Sequence, residues 1–428
     1  LRGFPYMAMT NEIVETKDLK HNFLVNMLDG AFFGWGVGFS SYTTVIPLFV
    51  STMTSSATLI GLIPAIHNMG WQLPQLLLAK RISKMERVKP FVVKATIHER
   101  LPIFGLGIVS LLLPLIGAKT ALILTFLLLV WQGLGSGFTA NAWQIMISKV
   151  IPGNILATFF GAQSAGSNLL ASLGAYLAGL LLVTLKPPFD FASCFFITTG
   201  LYILSWFFLN STHESPKVIK PEAVSPHPLW HDIKVILRQD KSFRNFLVSR
   251  FFSQFGMMAT AFYAVYAVRQ VGMSSVQVGL MTSILLITQV VMNPLLGRLS
   301  DRWSRKWVLV LGSISAAISA LLALFITDTC LFSLVFILNG IASTAFWTIG
   351  ITISLEFGEE SQRPTYVGMS NTLISPATIL APLLGGVLAD AFGYSITFIT
   401  SAAFAMVASL TLALLVNDPP KASNSSRK

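Results

Sequence analysis

Twelve apolar runs, each about 20 residues or longer, leave this chain little freedom, because runs of that length are read as membrane spans. They lie at 22–50, 57–79, 90–117, 120–148, 155–184, 191–210, 243–268, 275–297, 305–327, 330–355, 364–389 and 393–416. The third carries Lys94, His98, Glu99 and Arg100 in its first turns, so an alternative start lies at Leu101. Composition agrees. Charged residues make up 11% of the chain and mean hydropathy is +0.70, whereas soluble domains carry about 25% charged residues. The 32 Phe residues suit lipid-facing surface. The expected fold is an all-α membrane protein with twelve transmembrane helices.

The polar stretch 211–242, with Pro216, Pro221, Pro226 and Pro228, divides the spans into two sets of six. The segments expected are a tail at 1–21, six spans over 22–210, a linker at 211–242, six spans over 243–416, and a tail at 417–428 that is polar and expected to be disordered. No apolar signal core precedes the first span. The chain opens on Leu1, which leaves Met7 or Met9, or a trimmed terminus, as alternatives for the natural start. The two sets read as repeats. Asn22-Phe23-Leu24-Val25 returns as Asn245-Phe246-Leu247-Val248, Gly61-Leu62 as Gly279-Leu280, and the spacing of Gly161 and Gly179 as that of Gly368 and Gly386.

A net charge of +11 would suggest nucleic acid in a soluble protein. Here the question is where the charges lie, and no nucleic-acid partner is expected. With both termini on one side, that face takes 25 of the 29 Lys and Arg. The other face keeps Lys119, Lys186 and Arg269, and Arg250 lies within span 7. This asymmetry places both termini in the cytoplasm, with the plasma (cell inner) membrane as the expected location. Cys194 and Cys330 give no disulfide framework and read as buried small apolar residues. Zinc-type Cys/His spacings, a phosphate-binding loop and a nucleophile elbow are all missing from the sequence. An enzyme reading therefore has no residues to rest on, and no cofactor or metal is expected.

Polar residues inside the spans are the candidates for function, because ionised groups in hydrocarbon must pair, protonate or face water. Asp29 in span 1 is read either as a proton-coupling or substrate-binding acid or as a carboxylate that caps or snorkels. Arg250 is placed at nearly the equivalent level of span 7, where it could pair with Asp29 across the halves. His98, Glu99 and Arg100 point about 100° apart on a helix, so Glu99 and Arg100 are expected to bind neighbouring helices or a gate rather than substrate. In span 2, His67, Trp71 and Gln75 share one face. Gln132, Asn141 and Trp143 in span 4, Gln254, Tyr263 and Tyr266 in span 7, and Asn339 and Trp347 in span 10 complete the candidate lining. The Gly133-x-Gly135-x-Gly137 run and the glycines of span 5 are read as helix-packing devices.

Between spans 8 and 9 stands Gly297-Arg298-Leu299-Ser300-Asp301-Arg302-Trp303-Ser304-Arg305-Lys306. It reads as a tight charged turn. Gly297 would admit a neighbouring helix closely, and Asp301 would accept hydrogen bonds from Arg302, Arg305 or a helix N-terminus. The ordered G-x-L-x-D-R-x-x-R-K resembles the signature loop of the major facilitator superfamily, although the family usually has Gly where this chain has Ser304. The spans 2–3 loop is basic but lacks the Gly and Asp of that signature, so Glu359 or Glu360, before Arg363, is its expected partner. The resemblance implies two pseudo-symmetric six-helix bundles around a central cavity, and secondary transport of a small solute by alternating access. Protons are the expected coupling ion, a monomer is expected, and the aromatic, charge-poor lining leans towards export of amphipathic compounds. A sugar or organic-anion porter, and a transporter-like receptor or assembly factor, stay open as alternatives.

Overall fold

The structure is a computed structural model that describes residues 6–82, 85–216, 236–354, 357 and 363–417. Among the described residues it holds helices and no strand. In chain order these are α1 (Tyr6–Phe39), α2 (Val45–Met53), α3 (Ala57–Ile82), α4 (Lys89–Val150), α5 (Gly153–Thr184), α6 (Phe189–Asn210), α7 (Lys241–Gly256), α8 (Tyr263–Arg269), α9 (Ser275–Arg302), α10 (Arg305–Phe325), α11 (Thr329–Thr344), α12 (Gly350–Ser354), α13 (Arg363–Phe392) and α14 (Tyr394–Leu415). A short 3-10 turn, Met258–Ala261, joins α7 to α8, and a π turn, Ala345–Ile349, joins α11 to α12.

Nine helices of the described residues are long and apolar enough to cross a membrane. One of them, α4, contains two of the expected spans. Gly117 breaks it with φ +77°, a left-handed conformation that costs glycine little because it has no Cβ. Gly393, at φ +84°, makes the corresponding turn between α13 and α14. Three expectations need correction. Helix α1 starts at Tyr6, well ahead of its apolar run. Helix α9 continues through Gly297 to Arg302, so the turn is confined to Trp303 and Ser304. Cys330 is exposed while Cys194 is buried. The expected disordered tail lies outside the described residues beyond Asn417, as does most of the linker.

The chain forms two compact units. Unit 1 comprises Leu1–Ser40 and Gly70–Glu222, and unit 2 comprises Ser41–Met69 and Ala223–Lys428. Unit 1 is organised on α1, which presents two seams. One faces α5 in parallel register. A Cβ on Gly30, Gly34 or Gly38 would strike Gln163, Ser167 or Ala171 within 2.1–2.5 Å, so small residues every fourth position allow backbone contact. The other faces α6 in antiparallel register. Asn22 bonds both backbone groups of His213, Asn26 accepts from Thr212, Phe33 stacks on Tyr202, and Thr198 donates to Gly36 O. Within α4 the expected packing glycines do meet neighbours. Gly133 lies against Gly70, and Gly135 against the His98–Glu99 backbone.

Unit 2 repeats the antiparallel seam between α7 and α14. Asn245 Nδ2 donates to Leu415 O, Ser249 Oγ to Ala408 O, and Ser401 Oγ to Gly256 O. The two asparagines of the sequence repeat thus do the same work, each tying its helix to the C-terminal end of its antiparallel partner. Unit 2 also holds the hairpin α2–α3, whose Gly61 lies against the Pro382 carbonyl of α13.

Candidate functional site

A buried charge cluster occupies unit 1. Asp29 of α1 accepts from Ser205 Oγ of α6 at 2.5 Å and from Arg100 Nη2 of α4 at 3.3 Å, and Arg100 also donates to Ser205 at 3.0 Å. Trp143 lies near Asp29. Beside them, Glu99 lies near Ser136 and Thr139 on the second arm of α4. Asp29, Glu99, Arg100 and Ser205 are all buried. The Arg100 guanidinium also stands 5.9 Å over the Phe33 ring. Two buried carboxyl groups therefore stand near one guanidinium inside a span, and Asp29 is the one paired with it. Arg100 keeps Nε and Nη1 without a partner.

Local sequence explains how the cluster is assembled. Asp29 lies on the α6-facing stripe that runs 22, 26, 29, 33, so it meets Ser205 as Asn22 meets His213. Gly30, one residue on, faces α5 instead. On α4, His98 points away and bonds Trp131 Nε1 at 3.2 Å on an exposed surface, as the 100° step predicts. Arg100 had been counted among the cytoplasmic charges, yet it is the buried partner of Asp29.

Within unit 1 the partner of Asp29 is Arg100, and Arg250 does not hold the matching face of its own unit. The repeat supplies the reason. Seven residues beyond each asparagine stand Asp29 and Phe252, and Phe252 stacks on Phe404 at 5.9 Å. Arg250 comes two residues earlier, about 200° round the helix, so it is not on the corresponding face. It donates instead to Phe346 O in the π turn and lies against Gly350.

The other candidates fall into both units. His67 stacks on Tyr42 at 4.2 Å in unit 2, whereas Trp71 belongs to unit 1, so their shared helix passes from one unit to the other. The Gln75 side chain lies outside the described residues. Gln132 is buried, and Asn141 and Trp143 are partly buried, Trp143 edge-on to Phe160. In unit 2, Gln254 accepts from Thr378 at 3.3 Å and Asn339 Oδ1 accepts from Thr260 at 2.8 Å. Tyr263 is packed in the core against Phe336 and Phe398, with Ser319 donating to its hydroxyl. Tyr266 joins Phe332, Tyr394 and Phe398. Trp347 is 60% exposed.

At the charged turn, no described atom lies within 4 Å of a Cβ built on Gly297. Ser304 is extended and caps α10 by accepting from Trp307 N. That geometry needs no glycine, which accounts for the departure from the signature. Arg302 is exposed, Arg305 is partly buried, and Lys306 stands 5.4 Å over the Trp307 ring. The side chains of Asp301 and Arg363 and the whole of Glu359 and Glu360 lie outside the described residues, and the expected contacts of these residues with them.

Sequence reading missed Ser205 and the α1 glycines. The Gly30-x-x-x-Gly34-x-x-x-Gly38 spacing was the available signal for the glycines. It also missed Asp390, whose carboxylate accepts from Ala57 N, Thr58 N and Ser56 Oγ at 2.5, 2.8 and 2.7 Å.

Comparison with known proteins places this geometry. The family model described as Major Facilitator Superfamily matches residues 246–428. Multidrug resistance protein 1 of Bacillus subtilis is 30% identical over 150 residues, 35% of this chain and 38% of that protein. MFS-type transporter SLC18B1 of Mus musculus is 25% identical over 309 residues, 68% of this chain and 64% of that protein. The matched segments thus span less than two thirds of either relative. A variant of the nucleoside transporter NupG has the same fold, with TM-score 0.75 at 13% identity over 92% of this chain and 100% of that one. Residues 246–428 thus carry the sequence pattern of the major facilitator superfamily, and almost the whole chain, an integral membrane protein, has the fold of that nucleoside transporter.

Proposed function

We propose that this protein is a secondary transporter that moves a small solute by alternating access and is coupled to protons through the Asp29–Glu99–Arg100 cluster. The observation that carries the coupling is a count of charge. Two buried carboxyl groups face one guanidinium, so full ionisation leaves a net negative charge inside a membrane span, where desolvation is expensive. A bound proton balances the cluster. Opening it to water favours release, and closing it favours uptake. Ser205 Oγ bonds both Asp29 and Arg100 and holds them in register. The solute is read as an amphipathic compound. Export is read as the direction, in keeping with the likeness to multidrug resistance protein 1 of Bacillus subtilis. Both termini face the cytoplasm.

The test begins with a thermal-shift screen of the purified protein against a solute library, and the hit serves as the transported probe. Asp29→Asn fixes the neutral form of that side chain. In proteoliposomes it keeps solute counterflow and loses accumulation driven by a pH gradient. Full pH-driven transport by the Asn variant would make Asp29 structural and pass the coupling role to Glu99. Loss of both activities in folded protein would make the cluster a gate or substrate contact.

A further inference from the structure

Arg250 is the charged group that the cluster above does not use. It lies in the tenth position of α7, about 14 Å along the axis from Lys241, within a candidate span. Among the described residues it forms no ion pair. Its Nη1 donates to Phe346 O, and its Nε is buried without a partner. The π turn 345–349 frees a carbonyl to face it, and Gly350 supplies the room, since a Cβ there would collide with Nη1. Seven residues before Phe346 on the same face, about 10 Å away, stands Asn339. It is 2% exposed, its Oδ1 is bonded to Thr260, and its Nδ2 has no partner. A seam within unit 2 thus holds one guanidinium and one amide, each with an unused buried donor and, among the described residues, with no acid paired to either. An uncompensated cation inside a span is costly, and a buried donor without an acceptor adds to that cost. Something carrying negative oxygen must complete them.

We infer that Arg250 is the binding point for an oxyanion group, a carboxylate, sulfonate or phosphate, on the solute, with Asn339 further along the seam placed to bond a second polar group of the same solute. This rests on the transporter reading for the word solute. It is tested by binding alone, so a failure of transport or of proton coupling leaves its outcome readable. Guanidinium recognises such groups through paired N–H donors.

The experiment titrates the full-length protein in phosphatidylcholine nanodiscs with 1-naphthoate, naphthalene-1-sulfonate, 1-naphthyl phosphate and the neutral 1-naphthamide, read by calorimetry. At least one of the three anions is expected to bind about tenfold or more tighter than the amide, and which one it is defines the head group. Arg250→Gln is expected to remove that preference and leave amide binding unchanged, and Arg250→Lys to keep part of it. Wild-type protein that binds all four probes alike overturns the inference without any variant, and so does a folded Arg250→Gln that keeps the preference. In nanodiscs containing phosphatidylglycerol, loss of anion binding would assign the point to a lipid head group and overturn the solute assignment, whereas unchanged binding supports it.

Discussion

The turn between α2 and α3 is clamped by one charge on each helix end, which allows a quantitative prediction. Arg269 donates to Ser51 O and Thr54 O at 2.7 and 2.8 Å and to Ser55 O at 3.3 Å, closing the C-terminal end of α2. Asp390 takes the amides of Ala57 and Thr58 and the hydroxyl of Ser56 at the start of α3. Each side chain thus meets the helix end of opposite partial charge. Asp390→Asn keeps the shape and removes the charge. Hydrogen bonds to a charged group are worth about 1.5–3 kcal/mol and neutral ones about 0.5–1.5. Asp390 is exposed, so the low ends apply, a difference of about 1 kcal/mol for each bond, and screening by water halves it to about 0.5. The loss is then about 0.5 kcal/mol for each of three bonds, with about 0.5 more for the helix dipole. The total, about 2 kcal/mol, shifts the closed-to-open ratio of the hairpin about 30-fold. Thr282 is buried and shares a 2.6 Å hydrogen bond with Thr44 at the start of α2. In a background lacking Cys194 and Cys330, Thr282→Cys reports opening through its reaction with a membrane-impermeant maleimide. When opening and closing are fast relative to labelling, the rate follows the open population. Adding Asp390→Asn is expected to raise it about 30-fold. An unchanged rate in folded protein would refute the clamp, because three charge-assisted contacts cannot vanish without moving the equilibrium they hold.

Three further outcomes are expected. Arg100→Met leaves Asp29 and Glu99 buried without a cation and should cost about 3–5 kcal/mol; in thermal unfolding, Asp29→Asn added to it should recover much of the loss. Gly34→Val, whose Cβ would lie 2.1 Å from Ser167 Oγ, should lower the unfolding temperature through overpacking of about 1–3 kcal/mol, while Gly161→Ala, with nothing within 4 Å, should stay near wild type. A reporter fused after Lys428 should read cytoplasmic and one inserted near Lys186 external, and the reverse readings would overturn the orientation drawn from the lysine and arginine distribution.

What the sequence alone determined is set by terms that act locally or over the length of a span. Apolar runs of membrane length dictate helices because hydrocarbon satisfies no backbone group. The repeated Asn-Phe-Leu-Val announced two related sets of helices, and the structure shows why it recurs, since Asn22 and Asn245 each bond the end of an antiparallel partner. The ordered residues of the spans 8–9 turn pointed to the superfamily. The 100° step separated His98 from Arg100 correctly. Pairing was beyond its reach. Whether Asp29 meets Arg100 depends on which faces of α1, α4 and α6 come together, and two residues of register turn a side chain by about 200°. The helix step aims Arg100 at a neighbouring helix, but only packing selects Asp29 and Ser205 as its partners. Asp390 lies 332 residues from Thr58 in sequence, and only the tertiary structure brings that carboxylate to the amides it caps. Hydropathy is additive along a chain and can be read from it, whereas an ion pair belongs to two helices at once and exists only after they have packed.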